Sequence, residues 1–242
     1  MRAPAVLAAA AVLLAGCGAQ DGDEVLDVLV AASLTDVVEE LAAAYEGEHP
    51  GVDVRVTSGG SPALAHQVVE GAPADVFASA SARDMATVVD AGLAQEPVVL
   101  ARNAVQVVVP ADDPAGVRSL ADLGREGVRV ALCQPQVPCG ALAREALDAA
   151  GVAVRPVTEE PDVRATLTKV RLGEVDAGIV YRTDVLAAGD EVRGVAVPGA
   201  PTTDYPVAVL GQGSPDARGF VDLLLSVRGR EVLARAGFLP PP

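Results

Sequence analysis

The sequence predicts an α/β fold. Short β-branched runs alternate with helix-patterned stretches along most of the chain, which is the signature of that class. Half of the 242 residues are apolar, yet the chain has only three Tyr, three Phe and no Trp. Its core must then be Val, Leu, Ala and Ile, a palette suited to a buried parallel sheet covered by helices. Gly151 and Gly173 stand where a glycine just past a helix would end it.

In chain order, strands are predicted at 25–31, 52–57, 75–79, 105–109, 128–132, 178–181, 194–197 and 206–210. Helices are predicted at 34–46, 62–70, 80–91, 141–150 and 162–172, with two more closing the chain at 216–226 and 230–236. The first pair shows the logic. Val25, Leu26, Val28, Leu29 and Val30 form a strand that stops at a serine. Leu34, Val37, Val38, Leu41 and Tyr45 then follow the spacing of one helix face. No composition break or long linker separates sequential domains. Two lobes are possible only if the chain crosses between them, and residues 103–110 and 204–210 are the best candidates for crossings.

The amino terminus reads as an export signal. Arg2 is followed by an apolar stretch from Ala3 to Leu14, too short for an ordinary membrane span. Leu14-Ala15-Gly16-Cys17 resembles a bacterial lipobox, which implies a signal peptide at 1–16, lipid on Cys17 and a short tether at 17–26. A plain secreted protein, in which Cys17 is removed or incidental, is the alternative. Cys133 and Cys139 remain, and an even pair in an exported protein points to a disulfide, with two free thiols as the alternative. No cluster of Cys and His offers the four ligands that zinc needs.

The formal charge is −15, with Lys169 the single lysine. Nucleic acid is excluded as a partner, because phosphate-backbone binding needs a basic surface. An acidic protein can still hold an anion through local neutral dipoles. Four helix starts have the form for this: Ser33-Leu34-Thr35-Asp36, Ser61-Pro62-Ala63-Leu64, Pro138-Cys139-Gly140-Ala141 and Pro161-Asp162-Val163-Arg164. Ser33 sits where an N-cap belongs, with Asp36 three residues on, and Ser61 caps a helix that has Pro62 in its first position. Free N–H groups and the helix dipole make such starts anion seats. Singly, each is a routine cap.

Together these motifs resemble the periplasmic molybdate-binding proteins of ABC transporters. The resemblance lies in Ala31-Ala32-Ser33-Leu34-Thr35-Asp36, in Ala63-Leu64-Ala65-His66-Gln67, and in Gly71-Ala72-Pro73-Ala74-Asp75-Val76-Phe77-Ala78-Ser79-Ala80. It continues through Val137-Pro138-Cys139-Gly140, Asp162-Val163-Arg164, Gly178-Ile179-Val180-Tyr181, Tyr205-Pro206-Val207-Ala208 and Ala236-Gly237-Phe238, and so covers essentially the whole chain after the leader. It implies a type II periplasmic-binding-protein fold with two α/β lobes, 27–102 plus 211–242 and 103–210, joined by crossing strands around a ligand cleft. Ser33 and Ser61 would each give a hydroxyl and a backbone N–H, Cys139 and Val163 a backbone N–H, and Tyr181 its phenol O–H. All are uncharged donors. Such a set suits MoO₄²⁻, which has no proton to offer an acceptor, and tungstate, which is nearly the same size.

The resemblance further implies a monomeric, non-enzymatic lipoprotein outside the cytoplasm. It would need no cofactor and no direct metal ligand, would be anchored through Cys17, and would deliver its oxyanion to a membrane permease. Cys139 departs from the alanine common in the family, but only its N–H is called on. In the turn at Gly59-Gly60-Ser61-Pro62, Ser58 competes with Ser61. His49 and His66 are expected on the surface, Tyr45 in the core, Tyr205 in a packing or hinge role, Arg182 facing outward, and Asp75 and Asp162 at structural turns or a helix start. Two alternatives stand beside this one. A binding protein of the same fold would take sulfate, thiosulfate or an organic acid. An exported serine hydrolase would need a base that no motif places near Ser33 or Ser61.

Overall fold

The computed structural model describes residues 24–211 and 214–242, so the candidate signal peptide, Cys17 and the tether before residue 24 lie outside the described residues. The first strand begins at Glu24, one residue before its predicted start and within the stretch given to the tether. The chain runs β1 (Glu24–Ala31), a 3₁₀ turn (Ala32–Leu34), α1 (Thr35–Glu48), β2 (Val52–Gly59), α2 (Ser61–Val69), β3 (Val76–Ala78), α3 (Ala82–Asp90) and β4 (Val98–Pro110). It continues with β5 (Val130–Cys133), α4 (Pro138–Ala149), β6 (Thr158–Glu160), α5 (Val163–Arg171), β7 (Ala177–Tyr181) and α6 (Arg182–Ala188). It ends with β8 (Val192–Val195), β9 (Thr202–Val209), α7 (Pro215–Leu225) and α8 (Val227–Arg235).

The strands join in the order β2-β1-β3-β9-β4-β7-β5-β6, with β8 beside β4. The sheet is mixed rather than parallel throughout. β1 pairs parallel with β2 and β3, and β5 with β6 and β7, while β4 and β9 run antiparallel to their neighbours. These two are the crossing strands, because a chain that leaves one half and returns must run both ways. β4 extends well before its predicted start. Its first half pairs with β9 (Ala101 opposite Tyr205, Ala104 opposite Thr202), and its second half pairs with β7 from Val105 opposite Tyr181.

The buried side chains form separate groups. One collects Val105 to Val109 with β5, α4, α5, β7 and β8. Two others collect β1, β3 and α1 to α3 with the C-terminal helices, and β9 packs there through Tyr205, Val207 and Ala208, with Leu210 just beyond its end. The apolar face predicted for α1 is buried at Val37, Val38, Leu41 and Tyr45, and the Tyr45 ring meets Phe220 of α7 edge-on. Gly151 and Gly173 have positive φ just past α4 and α5, as their positions predicted. Two short elements lacked a sequence signal. β6 is a Thr-Glu-Glu edge strand with no apolar alternation, and α6 starts directly behind Tyr181 with polar residues.

This topology brings strand ends together. β1 and β2 finish side by side, Ala31 opposite Gly59, and β5, β6 and β7 finish in a second parallel set. Ligand sites of open α/β sheets lie in the crevice beyond such carboxyl ends.

Candidate functional site

At these strand ends lies a small cavity lined by Ala31, Ala32, Ser33, Gly59, Gly60, Ser61, Ala80, Val137, Pro138, Cys139, Asp162, Val163 and Tyr181. All five residues singled out from the sequence face this one space, and all five are buried. Ser58 is exposed and is not among the lining residues.

The local roles of the two serines differ from expectation. Ser33 does not cap α1. It lies inside the 3₁₀ turn ahead of that helix, and its Oγ is 2.7 Å from the Tyr205 hydroxyl. Ser61 does not cap α2 either. Gly60 takes that place, Ser61 is the first helical residue and Pro62 the second. The Ser61 Oγ instead accepts a hydrogen bond from the Ala80 N–H at 2.9 Å. Both hydroxyls are held by the protein instead of closing their own helices. Asp162 is the N-cap of α5 as expected, its Oδ1 accepting from the Ala165 N–H at 2.9 Å.

The donors follow from position. Ser61 and Val163 are the first residues of α2 and α5, and Cys139 is the second residue of α4. N–H groups in a first turn have no acceptor within their own helix. The Cys133–Cys139 disulfide forms, with Cα atoms 5.8 Å apart, and ties the end of β5 to the first turn of α4. The Tyr181 hydroxyl is buried and makes no well-formed hydrogen bond among the described residues, although the Tyr205 hydroxyl lies beside it. Burial pushes the Tyr181 phenol well above its usual value, with the neighbouring Tyr205 and Asp184 adding to the effect, so it stays a neutral donor.

Among the described residues no Arg, Lys or His lines the cavity, and the one carboxylate in the lining, Asp162, caps α5 through Oδ1. Arg164 follows Val163 directly but turns away. Its guanidinium bonds Asp36 at 2.6 Å and lies 3.5 Å from the buried Asp184. Burial raises the Asp184 carboxyl to about 7 against the pull of Arg164 and of the Tyr181 N–H that it accepts. Among the described residues no group of three or more His, Cys, Asp or Glu could hold a metal cation. A base for a serine nucleophile is likewise missing from the lining. The first-turn N–H groups and the hydroxyls in this lining suit a guest that accepts hydrogen bonds.

The two sides of the cavity touch. A Cβ on Gly60 would lie 2.4 Å from the Pro161 carbonyl oxygen, so only glycine permits this approach. Arg83 also donates to the Gln136 carbonyl, and the Asp36–Arg164 pair spans the same seam.

Over residues 26–239 the chain matches the family described as bacterial extracellular solute-binding protein. The chain belongs to that family. The molybdate-binding protein ModA of Mycobacterium tuberculosis is 40% identical over 229 residues, 93% of this chain and 88% of the relative. The periplasmic molybdate-binding protein of Azotobacter vinelandii superimposes with a TM-score of 0.78 at 20% identity, covering 90% of this chain and 100% of that one. The sulfate-binding protein SubI of M. tuberculosis gives 0.79 at 22% identity, covering 90% and 87%. The fold is therefore that of the type II periplasmic binding proteins, and this solute-binding protein is not an enzyme.

Tyr205, expected in a packing or hinge role, is fully buried in the core against Phe238, and its hydroxyl also meets Ser33. That polar contact has no periodic signal in the chain and follows from the β4–β9 register.

Proposed function

We propose that this protein captures molybdate or tungstate outside the cytoplasm and delivers it to the permease of an ABC transporter. Ser33, Ser61, Cys139, Val163 and Tyr181 hold the oxyanion, and the two halves, 27–102 plus 211–242 and 103–210, close over it. The observation that carries this is a cavity lined by uncharged donors and, among the described residues, by no cation. A buried dianion loses its hydration, so each oxygen needs partners from the protein. Converging N–H dipoles and hydroxyls replace water without a counter-ion. The 40% identity to a molybdate-binding protein supports the same choice of guest. Lipid on Cys17 holds the monomer at the outer face of the cell membrane.

Sulfate is the competing guest, because a sulfate-binding protein shares the fold. Size separates the two dianions. Hydrogen phosphate, also smaller, would bring a proton to a lining whose one carboxylate among the described residues, Asp162, already caps α5. Calorimetric titration of the purified protein with molybdate, tungstate, sulfate and phosphate tests the assignment. Molybdate and tungstate should bind comparably and tightest, and phosphate weakest. Tighter binding of sulfate, or no heat with either metal oxyanion, overturns it.

A further inference from the structure

The hydroxyl of Ser33 can point either way: its hydrogen toward Tyr205 and its lone pairs into the cavity, or the reverse. The neighbouring groups decide between the two. Asn103 is fully buried, and its Oδ1 accepts from the Ala104 N–H at 3.0 Å. A backbone N–H can only donate, which fixes the amide orientation and leaves Nδ2 on the other side. That Nδ2 donates to the Thr183 Oγ1 at 2.9 Å and, more weakly, to the Tyr205 Oη at 3.4 Å. The Tyr205 oxygen thus accepts from Asn103. Of the oxygens beside it, Ser33 Oγ at 2.7 Å is the one in hydrogen-bonding geometry to take its single hydrogen, and burial keeps the phenol protonated by pushing it well above its usual value. Ser33 Oγ then accepts from Tyr205, and its own hydrogen is left for the cavity. Ser61 is held in the same sense by a donor that cannot reverse, the Ala80 N–H.

We infer that Asn103 and Tyr205 are positioning residues that set the direction of the Ser33 hydroxyl, so that the cavity presents hydrogens and no lone pairs from its serines. They make the site selective for fully deprotonated oxyanions while touching none. This rests on the proposed binding of molybdate at this site and adds residues that line no part of it.

The test is a double-mutant cycle read by calorimetry with sodium molybdate on wild type, Tyr205→Phe, Ser33→Ala and the double variant, each first checked for cooperative thermal unfolding. Tyr205→Phe should weaken molybdate about tenfold, the scale of one hydrogen bond to a charged group. In the Ser33→Ala background the same change should cost less than about twofold, because the hydroxyl it orients is gone. The molybdate-to-phosphate affinity ratio should also narrow in Tyr205→Phe, since the freed lone pair of Ser33 can accept from hydrogen phosphate. Equal losses in the two backgrounds, or an unchanged affinity in Tyr205→Phe, overturn the inference while leaving the binding function intact. A wild type that binds no molybdate overturns both. If Tyr205→Phe fails to fold, Asn103→Leu removes the same constraint from behind and must show the same dependence on Ser33.

Discussion

Tyr181→Phe should move stability and binding in opposite directions. The Tyr181 hydroxyl is buried with no well-formed hydrogen bond among the described residues, so Phe would give up little of the fold. An unsatisfied buried polar group costs about 1–3 kcal/mol. Removing it should raise the stability of the ligand-free protein, and each 1 kcal/mol gained corresponds to roughly 2–4 °C in melting temperature for a chain of this size. The same hydroxyl is one of the donors proposed for the oxyanion. A hydrogen bond to a charged group is worth about 1.5–3 kcal/mol, or roughly 10- to 100-fold in affinity. Thermal unfolding with and without molybdate, beside calorimetry, reads both quantities on one preparation. A Phe variant that melts earlier and binds molybdate as tightly as wild type would refute the reasoning, because the hydroxyl would then belong to the fold and not to the guest.

Gly60→Ala should weaken molybdate binding by at least about tenfold while leaving the melting temperature of the free protein within a few degrees, because the added methyl meets the Pro161 carbonyl across the seam and opening the halves relieves it. Small-angle scattering with saturating molybdate should show the variant more open than wild type. Replacing Cys133 and Cys139 by Ser should cost about 2 kcal/mol of stability in a chemical denaturation curve, the loop-closure value for a short loop, and reductant should reproduce this loss in wild type but not in the variant. Asp184 gives a pH dependence. Its carboxyl is raised from 3.8 to about 7, so it favours the folded state below 3.8 and loses that advantage as pH rises to about 7, by up to about 4 kcal/mol at about 1.4 kcal/mol per pH unit. Denaturation curves from pH 4 to 8 should show wild-type stability falling relative to Asp184→Asn up to about pH 7 and running parallel above it.

Much of the frame was legible in the sequence because strand and helix periods are local. β1, α1, β2 and α2 show plainly through Val28, Leu41, Val54 and Leu64, each buried where its spacing placed it. The first half of β4 was hidden. Arg102 and Asn103 interrupt its apolar run, yet both fall within its pairing with β9, opposite Asp204 and Thr203. β6 was hidden because an edge strand of Thr158, Glu159 and Glu160 needs no apolar face. Ser33 and Ser61 were located correctly at the ends of strands, but their partners were not. Ser33 meets Tyr205, 172 positions away, and Ser61 meets Ala80, 19 positions away, and such contacts are set by the register of the sheet rather than by neighbours in sequence. For the same reason the Tyr181 hydroxyl, left without a well-formed hydrogen bond by its surroundings, has no signature in the chain.

A crystal structure of the protein grown with molybdate tests most directly whether neutral donors alone cage the dianion. The account predicts the anion beyond the ends of β1, β2 and β7, with its oxygens within hydrogen-bond distance of the Ser33, Ser61 and Tyr181 hydroxyls and the Cys139 and Val163 N–H groups. A guest clasped by the Arg164 guanidinium, bridged by a metal cation, or seated anywhere else would contradict it.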